Sequence, residues 1–197
     1  MGARTDARQR WLDAGIQMLA GEGAEAVRID RISARLKLSK GSFHHHFDGA
    51  AAYKRELLAY YEKMATDGLE HAIDDASATG DVHATLTRLT QFVVPDRPGL
   101  YQPELEVAVR AWATWDRDVQ AVQARIDRAR LAALQRVWRP FVGTDGEARL
   151  AALLPYLVAV GAAVVVPPID ANELRGVFEL LLPLVPGLAG GASAPGG

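Results

Sequence analysis

The chain has 197 residues, 49% of them hydrophobic, enough to bury a sizeable core in one domain or two small ones. It has no cysteine, which excludes a disulfide framework and any thiolate metal site. The net charge of −2 argues against a nucleic-acid partner until it is divided: residues 1–65 hold 11 basic and 8 acidic side chains (+3), the remainder 11 and 16 (−5). A basic head and an acidic body fit a DNA-binding end kept off non-specific contacts elsewhere.

Residues 1–5 read as a loose arm carrying Arg4. Over 6–20, Leu12, Ile16 and Leu19 fall on one helical stripe with Trp11 beside it, and Gly21 and Gly23 end the helix. From Arg28 a second stripe appears, Ile29, Ile32 and Leu36. Leu38 sits in a short break, and Ser39 supplies a hydroxyl that can cap a new helix. That helix, 40–47, turns Phe43 and Phe47 inward and Lys40, Ser42, His44 and His45 outward. Two short helices joined by a tight turn describe a helix-turn-helix, whose second helix enters the major groove.

With Gly23, Ile32, Leu38, Ser39, Lys40, Gly41, Ser42, Phe43, His45, His46 and Phe47 in one register, residues 8–57 resemble the DNA-binding domain of the TetR family of transcriptional regulators. The family pattern is a glycine after helix one, then I-A…G-V-S-K-G-T-L-Y-x-H-F. Lys40 can pair with a phosphate or a guanine edge, Ser42 can donate or accept in the groove, and Gly41 lets the backbone come close. The three histidines point about 100° apart in succession and cannot converge on one metal, so neither a metal nor a cofactor is expected. The resemblance implies that His46 is structural while His44 and His45 face DNA. The family usually has tyrosine at His44; a histidine ring N–H can replace that hydroxyl at a phosphate, more strongly when protonated. Arg28 stands where the family has Thr or Ser, Lys37 where it has a turn glycine, and Ala50 where it often has a lysine that Lys54 replaces one turn later. The expected contact set is Arg28, Lys37, Ser39, Lys40, Gly41, Ser42, His44, His45 and Lys54.

Further along, Tyr53, Leu57, Tyr60, Tyr61, Met64 and Ile73 predict a long helix over 49–76, followed by a polar loop over 74–81. Residues 82–94 form another amphipathic helix, broken by Pro95, Pro98 and Gly99. Pro103 opens a helix to about residue 115, and another spans 116–138 until Pro140 and the 143–146 turn. Helices over 147–166 and 171–182 are separated by Pro167 and Pro168, and the Gly/Ala/Ser/Pro-rich 187–197 reads as a disordered tail. No strand alternation or repeat is present. The chain is all-α with about nine helices, also the TetR count. Residues 1–48 form the helix-turn-helix domain and 49–186 a ligand-binding and dimerisation domain.

Tyr101, Arg110, Trp112, Trp115, Trp138 and Tyr156 are the candidates for a ligand cavity, with Arg110 as an anion anchor. Ordinary core packing is the commoner role for such aromatics, and Arg110 and Trp112 fall in a run, 105–130, that resembles a structural hallmark of one TetR subset. The nearly uncharged 150–166 is too short and Pro-interrupted for a membrane span. It is better read, with 171–182, as a patch that doubles into a four-helix bundle across a dimer axis. No leader pattern is visible, which predicts a cytoplasmic protein. The sequence therefore predicts a homodimeric, non-enzymatic DNA-binding regulator, most simply a repressor, that is released from a near-palindromic operator by an unknown small molecule. Two alternatives remain at this stage. One is a TetR-like module that has lost DNA binding; the other is a bundle enzyme, which would need paired Glu-x-x-His elements that the chain lacks.

Overall fold

The computed structural model describes residues 2–77 and 102–181, with side chains from 7–74 and 102–181. Eight α-helices follow in order: α1 Gly2–Glu22, α2 Ile29–Leu36, α3 Lys40–His44, α4 Gly49–Ser77, α5 Pro103–Ala113, α6 Arg117–Trp138, α7 Asp145–Val164 and α8 Ala171–Leu181. Single 3₁₀ turns occupy Ala24–Ala26 and Arg139–Phe141, and no strand occurs among the described residues. The all-α expectation holds. The helix expected over 82–94, the loop's later part and the 187–197 tail lie outside the described residues.

Several boundaries differ from the sequence reading, two of them in the N-terminal part with a local cause. The arm expected over 1–5 is helical from Gly2, because Ala3 and Arg4 favour continuing the α1 ladder. The reading helix is shorter than 40–47: α3 ends at His44, and the turn after it is closed by His46 N–H and Phe47 N–H, which both return to the Phe43 carbonyl, at 2.9 and 3.0 Å. Shared acceptance of this kind closes a helix end tightly.

The described residues fall into two compact units, the first within Met1–Met64 and Pro103–Ile126, the second within Ala65–Gln102 and Asp127–Gly197. In the first, α1 packs on α2 and α5. Trp11, Phe43, Phe47 and Tyr53 form its aromatic centre, with ring centroids 4.9–5.6 Å apart and mostly edge-on. Tyr53 donates to the Trp11 carbonyl at 2.7 Å, and burial pushes its phenol above the ordinary value. This packing needs Gly15: a Cβ there would meet the Tyr53 hydroxyl at 2.1 Å. Gly23, at φ 82°, ends α1 in a conformation that suits glycine.

In the second unit, Ile73, Ala133, Val137, Trp138, Ala148 and Ala152 make a buried cluster. α7 starts at a capping box in which the Thr144 hydroxyl accepts from Glu147 N–H (3.2 Å) and Thr144 N–H donates to the Glu147 carboxylate (2.9 Å). Asp170 caps α8 in the same sense, accepting from the N–H groups of Asn172 and Glu173. One side of α7 stays uncovered: Leu150, Leu154, Leu157 and Val164 are exposed at helical spacing, with Leu180 of α8 the most open, at 76%. α7 is long and apolar enough to cross a membrane by length and composition.

Candidate nucleic-acid interface

The helix-turn-helix is built from two local devices. α2 ends at Lys37, whose backbone is left-handed at φ 54°, ψ 38°. Leu38 N–H then reaches back to the Ser33 carbonyl at 3.0 Å, the closure that glycine usually makes. A lysine there carries strain, and places a cation at the turn. α3 starts at Ser39, whose hydroxyl accepts from Ser42 N–H at 3.2 Å. Its inner face is Phe43, fully buried, and Phe47 follows it into the core.

What α3 leaves outside is polar. Lys37, Ser39, Lys40, Gly41, His44 and His45 are exposed and Ser42 half-buried, all within nine consecutive residues. Lys37 and Lys40 have no ion pair among the described residues. The His44 ring stands edge-on to Phe43 at 5.4 Å, and His46 lies against Phe47 at 6.4 Å. Gly41 is not required by the protein's own packing, because a Cβ there meets only the Ser39 hydroxyl, at an ordinary 3.6 Å.

Two members of the expected contact set are otherwise engaged. Arg28, at the N-terminus of α2, forks onto Asp30 through two 3.2 Å bonds. The slight burial of Asp30 would raise its carboxyl, but Arg28 outweighs that and holds it below the usual carboxylate range. Lys54, half-buried on α4, donates to both oxygens of Asp116 (2.8 and 2.6 Å) and to Asp118 (3.1 Å). It also stands over the Trp112 ring, 5.8 Å from its centroid. Burial alone would lower the Lys54 ammonium and raise the Asp116 carboxyl; the pair reverses both, raising Lys54 and lowering Asp116. The sequence reading missed Asp30, Asp116 and Asp118. Asp116 was visible only as a helix-capping type ahead of α6, which it is, accepting from Asp118 and Val119 N–H.

The ligand candidates are divided. Arg110, Trp112 and Trp115 lie in the first unit, Trp138 and Tyr156 in the second, and Tyr101 outside the described residues. Arg110 already holds an anion, Glu106, at 2.7 Å. Trp112 is buried and Trp115 is 65% exposed, with ring centroids 6.3 Å apart. Tyr156 donates to Asp127 at 2.6 Å, and the buried Trp138 indole N–H has no acceptor among the described residues.

The fold matches a transcriptional regulator from Rhodococcus sp. Rha1, with a TM-score of 0.70 at 19% identity, over 95% of this chain and 99% of that one. The family model of bacterial regulatory proteins, tetR family, matches residues 12–60, the segment that carries the interface just described. The head of this chain, residues 12–60, is therefore similar to the tetR-family DNA-binding domain, and its fold is that of solved transcriptional regulators. The reduced form of NemR from E. coli shares the fold, with a TM-score of 0.70 at 17% identity, over 89% of this chain and 95% of that one. A transcriptional repressor of the helix-turn-helix type, DhaR of Mycobacterium sp. strain GP1, is 28% identical over 75 residues. That match spans 38% of each chain, so the likeness to this repressor is local.

Proposed function

We propose that this protein is a regulator of the TetR family, a ligand-responsive DNA-binding protein acting as a repressor. The observation that carries the reading is the exposed, uncommitted face of α3 and its turn, with Lys37, Lys40, Gly41, Ser42, His44 and His45 outward over a Phe43 core. A glycine that the protein's own packing does not need, beside two unpaired lysines, suits close approach to a polyanion. Arg28 and Ser39 complete the proposed contact set at the helix N-termini. Lys54 is its weakest member, since three carboxylate oxygens already surround its ammonium.

The exposed stripe Leu150, Leu154, Leu157 and Val164 on α7, with Val177 and Leu180 on α8, supports a homodimer through the 147–166 and 171–182 helices. Leucine and valine at offsets of 4, 7 and 14 form the seam of a helix pair. The charged start of α7, with Asp145 and Glu147 in its first turn and Arg149 just after, favours a second copy over lipid as what covers that stripe. Two heads then read half-sites about one helical turn, roughly 34–36 Å, apart on a near-palindrome. The effector is a small molecule whose differential affinity for two states of the body sets its effect. The Trp138 indole N–H, buried without an acceptor among the described residues, supports an aromatic contact to it in the second unit. A regulator of this kind acts in the cytoplasm and needs no enzymatic activity.

Binding of the purified protein to DNA upstream of its own gene, across a salt series, tests the reading. Saturable binding to one site, falling steeply with salt, is expected. Equal, weak binding to every duplex, including those from random-fragment selection, would overturn it.

A further inference from the structure

The knot at Lys54 is the most concentrated polar constellation of the first unit, and a DNA contact does not account for it. Lys54 lies in the second turn of α4, only a few residues beyond α3, and its ammonium meets three carboxylate oxygens and the Trp112 face. Asp116 is spent twice, on Lys54 and on the free N–H groups that open α6. One side chain thus fixes the start of α6 and, through Lys54, the start of α4. Further along, Glu62 of α4 receives a bidentate fork from Arg125 of α6, both bonds 2.7 Å. On its other side α4 is tied to α1 through Tyr53 to Trp11, Tyr60 to Asp13 and Glu56 to Arg8. The head, α5 and the first half of α6 accordingly form one compact unit.

We infer that Lys54 and Asp116 are positioning residues for DNA binding: Asp116, held at the α6 start, anchors Lys54 and thereby sets the pose in which α4 presents α3 to the groove. The inference rests on the DNA-binding reading and removes Lys54 from the set of groups that touch phosphate. The geometry favours this role. A lysine that reached phosphate would have to leave a half-buried bidentate carboxylate and strand Asp116 and Asp118 as two adjacent unpaired anions. The carboxylates would also then face the DNA backbone, raising repulsion where attraction is needed.

The test compares Lys54→Met, Asp116→Asn and the double variant in the full-length protein. The probes are a duplex recovered by random-fragment selection with the wild-type protein and a random-sequence duplex of equal length, each titrated over salt. Asparagine keeps an acceptor oxygen for the α6 cap, and methionine keeps the stem over Trp112. Each single variant is expected to weaken the selected duplex about tenfold, within the range of coupled pairs, and the double variant no further. The salt slope stays at the wild-type value, because no phosphate contact is lost, and random-duplex affinity stays unchanged, which mere loss of folded protein would not give. Tighter binding by Asp116→Asn, or a slope reduced by about one in Lys54→Met, would overturn the inference by showing Lys54 on phosphate. Unchanged binding in all three variants would overturn it too. A wild-type protein that selects no duplex would instead sink the DNA-binding reading itself, and the inference with it.

Discussion

At the scale of single residues, the proposed DNA contacts and the needs of the fold pull in opposite directions. Lys37 holds a left-handed backbone that costs an L side chain about 1 kcal/mol or more over glycine, and its ammonium has no ion pair among the described residues. Lys37→Gly is therefore expected to raise the melting temperature by about 2–4 °C while weakening DNA binding and flattening its salt slope by about one. A variant both more stable and equally tight on DNA would remove Lys37 from the interface. Gly41 gives the converse case. Alanine fits there without a clash and should strengthen α3 by up to about 1 kcal/mol. Gly41→Ala is nonetheless expected to lose DNA affinity several-fold in a titration on the selected duplex, since the added methyl group meets the groove. Arg28 is held in reserve by Asp30. As an exposed, solvent-screened pair it restrains the guanidinium only weakly, so Asp30→Asn should tighten DNA binding by about two- to five-fold in the wild type and hardly at all beside Arg28→Ala.

At the scale of elements, what was legible in the sequence was local. The stripe Ile29–Ile32–Leu36, the Ser39 cap and the inward Phe43 and Phe47 lie within twenty residues, and each is fixed by spacing along one helix. The Thr144-x-x-Glu147 capping box was equally local and went unread, so α7 was expected to start two residues late, at Glu147. The Lys54–Asp116 pair spans 62 residues, and nothing in a one-dimensional pattern brings those two together. The Gly15 notch under Tyr53 was hidden for the same reason: small residues in helices are common, and only the crossing helix shows that this one is required. The knot also has a pH signature. Asp116 is depressed, so the stability it contributes is present above its unfolded value, about 3.9, and is lost as pH falls through the lower folded value. Lys54 is raised, so its share is complete below about 10.4 and is lost as pH rises past the higher folded value. The melting-temperature gap between wild type and Asp116→Asn is therefore expected to be steady from about pH 6 to 9 and to close towards pH 3. A gap that stayed constant into acid would show that the carboxylate charge is not what holds α4 to α6.

At the scale of the whole molecule, the proposed dimer turns on the uncovered stripe of α7 and α8. Leu150, Leu157 and Leu180 each leave more than half of their surface open, whereas burial of a leucine is worth about 1.5–3 kcal/mol. Gly161 lies on the same side as Leu150, Leu154, Leu157 and Val164, with nothing within 4 Å of where its Cβ would be, so a second helix can approach closely there. Leu157→Glu would place a carboxylate in the centre of that seam in a dimer, and on an open surface in a monomer. The variant is expected to sediment as a monomer, to melt with unchanged cooperativity in the head, and to lose most of its affinity for a full near-palindrome. Its affinity for a single half-site should match that of the wild type, because each α3 face remains intact and only the linkage between two binding events is removed. If Leu157→Glu remained dimeric and bound the full site as before, the second copy would have to sit elsewhere and the stripe would need another partner. If the wild type itself were monomeric, the 34–36 Å spacing of half-sites would have no basis, and one head would have to account for all of the specificity.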